Sequence, residues 1–217
     1  MKEILCFGDS NTYGLVPGTQ NRYDRDIRWT GILEKHLYKK GYRIIEEGLC
    51  GRTTIFDDLY REGRNGSSML PTLLESHKPI DQVILMLGTN DCKTCFHTTP
   101  QKIGAGIERL IEQIKAVDEQ IEILLISPIL LGDEVWKPEF DPEFDQISVE
   151  VSKGLKDVYK EIAKKYQCDF LAACDVAEAS KKDREHLDRE NHLKLAKAIL
   201  KCIEKSKLSY DFGEAIA

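Results

Sequence analysis

The fold is decided near the N-terminus by the stretch Ile4-Leu5-Cys6-Phe7-Gly8-Asp9-Ser10-Asn11-Thr12-Tyr13-Gly14. Its first four residues are apolar in succession, which is typical of a central parallel strand that is covered on both faces. Gly8 then allows a sharp turn where a side chain would obstruct the backbone. Ser10 is therefore expected at the carboxyl end of the strand, where open parallel sheets bind ligands. Its hydroxyl is a candidate nucleophile, and helix capping or the binding of a phosphate are the competing interpretations.

Further apolar runs follow at regular intervals along the chain. We expect strands at about residues 3–7, 42–47, 82–87, 122–126 and 168–171, separated by amphipathic segments. The clearest helices begin at Thr99-Pro100 and near Ile147, a shorter one follows Ser67 and Ser68, and Asp188 can cap the last one. This alternation predicts an α/β fold, a three-layer α/β/α sandwich with a five-stranded parallel sheet.

Two long segments lack this periodicity. Residues 15–28 contain turn residues and charges directly after Ser10, so we expect them to form part of the rim of a site. Residues 128–146 contain Trp136, Phe140 and Phe144 among prolines and acidic residues. A loop this aromatic is expected to cover an acyl or alcohol pocket, to pack on a neighbouring subunit, or both. Residues 208–217 are expected to fray or to dock on a partner.

Composition limits the class of protein. A chain of 217 residues with 41% hydrophobic residues can bury the core of one domain, which we place at residues 1–217. The net charge of −6 and the absence of a basic block argue against nucleic acid as a partner. No apolar run approaches the ~20 residues of a membrane span, and no signal peptide is recognisable, so a cytoplasmic protein without a membrane partner is expected.

The seven cysteines are an odd number scattered over the chain, which favours reduced thiols over a disulfide framework. Cys92 and Cys95 form one Cys-x-x-Cys pair, which is half of a redox or metal site. Neither a second pair nor a histidine cluster completes a zinc set. We therefore expect no metal and no organic cofactor, and a thiol-redox protein is the weakest alternative.

A serine nucleophile needs a base, an acid that orients the base, and donors for the oxyanion. Three further blocks contain such groups: Glu47-Gly48-Leu49-Cys50-Gly51-Arg52-Thr53-Thr54, Leu87-Gly88-Thr89-Asn90-Asp91, and Asp183-Arg184-Glu185-His186-Leu187. Together with the first block, they resemble the SGNH hydrolase superfamily of GDSL-type esterases. The Gly-Leu-Cys-Gly-Arg-Thr-Thr, Arg-Asn-Gly-Ser-Ser and Leu-Gly-Thr-Asn-Asp sequences are similar to its arylesterase and acyltransferase branch.

The resemblance implies a flavodoxin-like hydrolase fold and a role for each block. It places the nucleophile at Ser10 and completes a triad with Asp183 and His186. The oxyanion donors would be the backbone N–H groups of Ser10 and Gly51 and the side-chain amide of Asn90. Asn90 also fits a turn on its own, since Gly-Thr-Asn-Asp is turn chemistry.

Two residues depart from the pattern of the superfamily. Asn11 stands where leucine is usual, and Arg184 stands where glycine is commoner. Neither position carries a reacting atom. The departures affect the packing of the first turn and the shape of the loop that delivers His186.

The spacing of Asp183 and His186 has its own chemical logic. An aspartate three residues before a histidine can turn its carboxylate onto Nδ1 and leave Nε2 free for the serine proton. His192, the competing imidazole, falls in the first turns of the last helix, where a structural role is the better interpretation. Asp9 and Asp91 are expected to hold loops by accepting backbone N–H bonds.

The resemblance implies a serine esterase that hydrolyses and transfers short acyl groups of small-molecule esters, in a homo-oligomer. Tyr13, Lys93 and Trp136 are candidate substrate-binding residues. A carbohydrate deacetylase of the acetyl-xylan type would use the same atoms. A phosphate- or flavin-binding module built on the first turn is the alternative outside enzymes.

Overall fold

Five parallel strands form one sheet in the computed structural model, which describes residues 1–205. The strands are β1 (Lys2–Gly8), β2 (Tyr42–Gly48), β3 (Gln82–Met86), β4 (Glu122–Ser127) and β5 (Asp169–Ala172). Their order across the sheet is β2-β1-β3-β4-β5. All five predicted strands are confirmed, and the expectation for residues 208–217 lies outside the described residues.

Six helices accompany the sheet within residues 1–205: α1 (Ser10–Tyr13), α2 (Trp29–Leu37), α3 (Gly66–Ser76), α4 (Pro100–Val117), α5 (Gln146–Tyr166) and α6 (Arg189–Lys205). Helices α3, α4 and α5 pack on one face, and α2 and α6 pack on the other. The three-layer α/β/α sandwich is thereby confirmed. The patterns above do not predict α2, although Trp29, Leu33 and Leu37 recur at helical spacing and bury against the sheet.

Capping residues set where the helices begin. Thr99 caps α4 by accepting the Lys102 N–H at 3.3 Å, and Asp188 accepts the Asn191 N–H at 2.9 Å in the first turn of α6. Asn65 caps α3 through the N–H groups of Ser67 and Ser68, so this helix begins at Gly66 instead of after the two serines.

The apolar run of strand β1 explains why helices cover both faces of the sheet. Leu5 and Phe7 pack in the core beside α3, α4 and α5, whereas Ile4 and Cys6 pack in the core beside α2 and α6. Successive side chains of a strand point to opposite faces, so a continuous apolar run needs two apolar layers.

The register of the sheet places the candidate blocks together. Gly8 at the end of β1 pairs with Gly48 of β2 and with Met86 of β3. The turns that follow these three strands therefore leave the sheet at one edge. None of the helices in residues 1–205 combines the length and the apolar composition that a membrane span requires.

Candidate active site

The turn after β1 presents Ser10 at the sheet edge. A Cβ at Gly8 would lie 2.7 Å from the Met86 carbonyl oxygen and collide with the Thr12 side chain, so the close approach requires glycine. Asp9 caps α1 by accepting the Asn11 N–H at 2.9 Å. Ser10 is the first residue of α1, where backbone N–H groups lack intrahelical acceptors.

A chain of hydrogen bonds joins Ser10 to the loop before α6. The Ser10 hydroxyl lies 2.9 Å from His186 Nε2, and His186 Nδ1 lies 2.9 Å from Asp183 Oδ2. The other carboxylate oxygen, Asp183 Oδ1, accepts the backbone N–H of His186 at 3.0 Å. Asp183 therefore orients both the ring and the main chain of His186, and Nε2 is placed to accept the hydroxyl proton.

Acidic groups around His186 govern its charge. Burial disfavours the imidazolium, but the negative charges of Glu185, Asp183 and Asp9 outweigh it and raise the pKa of His186 to about 9. Burial works against the Asp183 carboxylate as well, yet the hydrogen bond from His186 holds the pKa of Asp183 below its usual value. The pair thus favours an imidazolium beside a carboxylate, which is the charge state that follows proton transfer from Ser10.

Asn11 fastens the loop of His186 to the turn after β1. Its side-chain oxygen accepts the Leu187 N–H at 2.8 Å, and its amide donates to the Glu185 carbonyl oxygen at 3.4 Å. Arg184 has a φ of +65°, in the left-handed region that favours glycine. The two departures from the family pattern thus meet at one loop, since Arg184 lies in it and Asn11 holds it with bonds that a leucine could not make.

The turns after β2 and β3 bring the candidate oxyanion donors to the same edge. Gly51 has a φ of +82°, and its N–H has no acceptor among the described residues. Asn90 begins a 3-10 turn after β3, and its amide donates to the Arg52 carbonyl oxygen at 3.1 Å. This bond fixes the orientation of the Asn90 amide beside the Gly51 turn, and both residues line the cavity in front of Ser10.

Arg52 was not a candidate from sequence, yet it holds the Gly51 turn against β1. Its guanidinium donates to the Gly8 carbonyl oxygen at 3.0 Å and to the Glu47 carbonyl oxygen, and it lies over the Phe7 ring. Burial lowers the pKa of Arg52 to about 10. A lone arginine in a turn gives no sequence signal of this role, because its acceptors are backbone atoms of other segments.

Asp91 holds a loop, as its turn position predicted. Its carboxylate accepts the Thr54 N–H at 2.9 Å and the Thr54 hydroxyl, and burial raises the pKa of Asp91 to about 6. The bond joins the turn after β2 to the turn after β3. Asp9 plays the same kind of role through Asn11, as described above.

A cavity of about 480 Å³ opens in front of Ser10. It is lined mainly by polar residues, with a few others. The polar ones are Ser10, Thr19, Gln20, Arg61, Asn90, Lys93, Glu139, Asp141, Glu143, Lys182, Asp183, Glu185 and His186, and the others are Leu15, Gly18, Cys50, Gly51 and Phe140. Residues 15–28 thus contribute to its rim, as predicted. From residues 128–146, Phe140 reaches the cavity, whereas Phe144 is buried in the core.

Of the three candidate substrate-binding residues, Lys93 lines this cavity, with its ammonium paired to Glu143. Tyr13 and Trp136 are not among the residues that line it. The Tyr13 ring stacks under the Arg22 guanidinium at 4.4 Å, and the partly buried Trp136 packs against the core on the face of α3, α4 and α5. Both rings are amphipathic, and their apolar faces pack against other residues. The sequence alone does not distinguish an aromatic residue packed in this way from one that lines a pocket.

Comparison with known proteins places this geometry in a family. The model of the GDSL-like lipase/acylhydrolase family matches residues 6–196. The chain belongs to this family. It has the SGNH hydrolase fold and is a hydrolase of the esterase type.

Solved structures agree with this assignment. Est24, a carbohydrate acetylesterase from Sinorhizobium meliloti, is 37% identical with a TM-score of 0.86 over 94% of this chain and 98% of its own. The aryl esterase of M. smegmatis is 35% identical with a TM-score of 0.86 over 94% and 99%. A lipase/acylhydrolase from Enterococcus faecalis, 19% identical with a TM-score of 0.68 over 94% and 96%, shares the fold. No curated protein matches the chain.

The competing imidazole of this GDSL hydrolase has a structural position. His192 is fully buried, its Nδ1 accepts the Trp29 N–H at 3.4 Å, and its ring meets the Tyr23 ring edge-on at 5.5 Å. Burial lowers the pKa of His192 to about 3. The neutral ring therefore joins α6 to the start of α2.

The two cysteines of the Cys-x-x-Cys pair lie in different environments. Cys92 is buried and donates to the Gly88 carbonyl oxygen at 3.4 Å, while Cys95 is exposed. Burial raises the pKa of both thiols, which disfavours the reactive thiolate. Among residues 1–205, no group of three or more His, Cys, Asp and Glu side chains is arranged to hold a metal ion.

Proposed function

We propose that this hydrolase cleaves small carboxylic esters with short acyl groups through an acyl-enzyme on Ser10. The observation that carries the proposal is the continuous hydrogen-bonded chain from Ser10 through His186 to Asp183, with 2.9 Å at each step. A phosphate- or flavin-binding role for the first turn would leave this chain without a purpose.

In the proposed mechanism, His186 Nε2 takes the hydroxyl proton while Ser10 Oγ attacks the ester carbonyl carbon. The N–H groups of Ser10 and Gly51 and the amide of Asn90 stabilise the oxyanion. The tetrahedral intermediate then collapses, the carbon–oxygen bond to the alcohol breaks, and the imidazolium returns its proton to the leaving oxygen. Water or a second alcohol resolves the acyl-enzyme by the reverse sequence, so acyl transfer uses the same atoms as hydrolysis.

Two ester classes fit the proposal. The M. smegmatis relative is an aryl esterase and Est24 is a carbohydrate acetylesterase. The cavity lined by Arg61, Lys93, Lys182 and several carboxylates favours a hydroxylated alcohol portion over a purely apolar one. Release of acetate from acetylated xylan, compared with a series of nitrophenyl esters graded from acetyl upward, separates these classes.

The homo-oligomer is part of the same proposal. Leu59 and Tyr60 are 91% and 95% exposed beside Arg61, which lines the cavity. Burying this apolar pair against a second copy of the chain would remove it from water.

Removing the nucleophile tests the mechanism directly. Ser10→Ala should lower turnover of 4-nitrophenyl acetate by ~10³ or more, as deletion of a covalent nucleophile does. An organophosphonate should add its mass to the Ser10 peptide of the wild type. Ser68→Ala, on the exposed side of α3, controls for the loss of a hydroxyl and should keep its turnover. Near-complete activity in Ser10→Ala would refute the proposal.

A further inference from the structure

Glu185 is a buried carboxylate that the proposed mechanism does not use. The residue is 6% exposed, lines the cavity, and places Oε1 3.7 Å from His186 Nε2. Its side chain accepts no hydrogen bond from any residue between 1 and 205. The charges that act on it come from His186 and Asp183 on its own loop, from Lys93 after β3, and from Asp141 in the segment before α5.

The main chain of Glu185 is fixed at both polar atoms. Its N–H donates to Asp183 Oδ1 at 3.2 Å, and its carbonyl oxygen accepts the Asn11 amide at 3.4 Å. The carboxylate is therefore held beside the reacting nitrogen by the same bonds that hold His186. The ion pair with His186 at 3.7 Å is too long for a hydrogen bond, and a buried carboxylate oxygen without a donor is costly unless a ligand supplies one.

The leaving alcohol and the attacking molecule both place a hydroxyl group next to His186 Nε2. This nitrogen gives a proton to the leaving alcohol and takes one from the molecule that attacks the acyl-enzyme, so both oxygens pass within hydrogen-bond distance of it. His186 Nε2 and Glu185 Oε1 are 3.7 Å apart. A hydroxyl oxygen between them can therefore lie about 2.8 Å from each atom. The hydroxyl group at this point can therefore contact Glu185.

We propose that Glu185 accepts a hydrogen bond from the molecule that resolves the acyl-enzyme and thereby selects water and vicinal diols over monohydric alcohols. This inference rests on the esterase mechanism proposed above. Water has two O–H bonds, one for His186 Nε2 and one for Glu185. A monohydric alcohol donates its single O–H to Nε2 and leaves the Glu185 carboxylate without a donor. The second hydroxyl of a diol can donate to this carboxylate.

The step changes no charge on Glu185. The attacking oxygen bonds to the acyl carbon while its proton passes to His186 Nε2. The bond between that carbon and Ser10 Oγ then breaks, and Nε2 returns the proton to Oγ. Glu185 neither gains nor loses a proton and acts by holding the attacking molecule in place.

Competition between two alcohols of equal size tests this inference. Wild-type enzyme would be given 4-nitrophenyl acetate with either ethylene glycol or 1-propanol at about pH 9, above the usual titration range of carboxyl groups. Each acetate ester formed would be quantified per hydroxyl group and corrected for the reaction without enzyme. The wild type should prefer the glycol by about tenfold, the effect of one charge-assisted hydrogen bond.

Variants of Glu185 separate this role from a structural one, because the readout is a ratio of products and not a rate. Glu185→Leu should abolish the preference for the glycol, and Glu185→Gln, which keeps an amide oxygen as acceptor, should retain part of it. Glu75→Gln removes one negative charge from an exposed position of α3, outside the residues that line the cavity, and should keep the wild-type ratio.

A wild type with equal transfer to both alcohols would overturn the inference, and so would a folded Glu185→Leu that keeps the wild-type ratio. Transfer to neither alcohol in both proteins would also overturn it, since the second hydroxyl would then give no advantage. Failure of the esterase mechanism looks different, because the wild type would then take up no organophosphonate at Ser10.

Discussion

At the scale of single residues, the site is a set of carboxylates around one imidazole. Asp183 was predictable, because its spacing from His186 is a local pattern. The effect of Glu185 on the same ring was not predictable, because the sequence does not show that the side chain directly before His186 also turns into the cavity. Because His186 is buried, little water screens the carboxylates around it, and each of them affects the pKa of His186 strongly.

The first prediction concerns the pH dependence of the reaction. An ordinary histidine would lose its activity as a base below a pH of ~6.5. Because the surrounding carboxylates raise the pKa of His186 to about 9, kcat/KM should rise with pH until about 9 and fall below it as the base becomes protonated. Glu185→Gln removes one of the charges that raise this pKa, so its acidic limb should move to lower pH. Profiles of both proteins that fall at the same pH, near 6.5, would contradict this account.

A second prediction at this scale tests the oxyanion donors. Asn90→Ala should lower kcat by ~10² to 10³ with a smaller change in KM, since a bond to developing charge strengthens in the transition state. Asn90→Asp is the matched comparison, because it keeps the shape but loses the donor and adds a negative charge, and it should be at least as impaired. Steady-state kinetics with 4-nitrophenyl acetate measure both. A loss confined to KM would make Asn90 a residue that positions the substrate.

At the scale of elements, two segments far apart in sequence form one unit. The turn after β1 and the loop before α6 meet through Ser10 and His186, which are 176 residues apart, and through the two side-chain bonds of Asn11. The sequence predicts each segment, because a strand end and a helix cap are local signals. It does not predict the bonds of Asn11, since only the folded chain brings the backbone of residues 185–187 to this side chain.

Removal of the Asn11 side chain should therefore loosen the loop that carries His186. Asn11→Ala leaves the Leu187 N–H buried without an acceptor, which should cost about 1–3 kcal/mol of unfolding free energy. It should also lower kcat more than it changes KM, because the misplaced base acts on bound substrate. Asn11→Asp keeps the acceptor for Leu187 and should recover part of the stability. Urea unfolding and kinetics of the two variants measure these effects, and an Asn11→Ala as stable as the wild type would show that the bonds are dispensable.

At the scale of the whole molecule, the parallel register explains how much of the site could be predicted. Gly8, Gly48 and Met86 pair across neighbouring strands, so the blocks that follow them share one edge, and strand ends can be located from apolar runs. The long segment at 128–146 could not be placed in this way. Its aromatic residues divide between the cavity, reached by Phe140, and the core, where Phe144 is buried. The aromatic content of a segment predicts how much apolar surface it must bury, but not whether each side chain faces the core or the cavity.

The last prediction concerns acid stability and rests on His192, which lies on α6 and contacts the start of α2. Burial lowers the pKa of His192 to about 3, whereas in the unfolded chain it titrates near 6.5. Between pH 6.5 and about 3, His192 is therefore protonated in the unfolded chain but neutral in the native state. The free energy of unfolding falls as the pH drops through this range. His186 has the opposite sign: its raised pKa adds stability that is complete below 6.5 and is lost as the pH rises through about 9. The two histidines can thus be distinguished by substituting one of them.

His192→Gln removes the acid-sensitive group while leaving an oxygen that can accept the Trp29 N–H. Between pH 7 and about pH 4, the wild type should lose about 3 kcal/mol more unfolding free energy than this variant, from ~1.4 kcal/mol per pH unit below 6.5. His36→Gln, at an exposed position of α2, is the matched control and should follow the wild type. Urea titrations at the two pH values provide the measurement. A wild type and a His192→Gln variant with parallel pH dependence would mean that His192 accepts its proton within the folded protein, and that α6 can move away from α2 without unfolding the sheet.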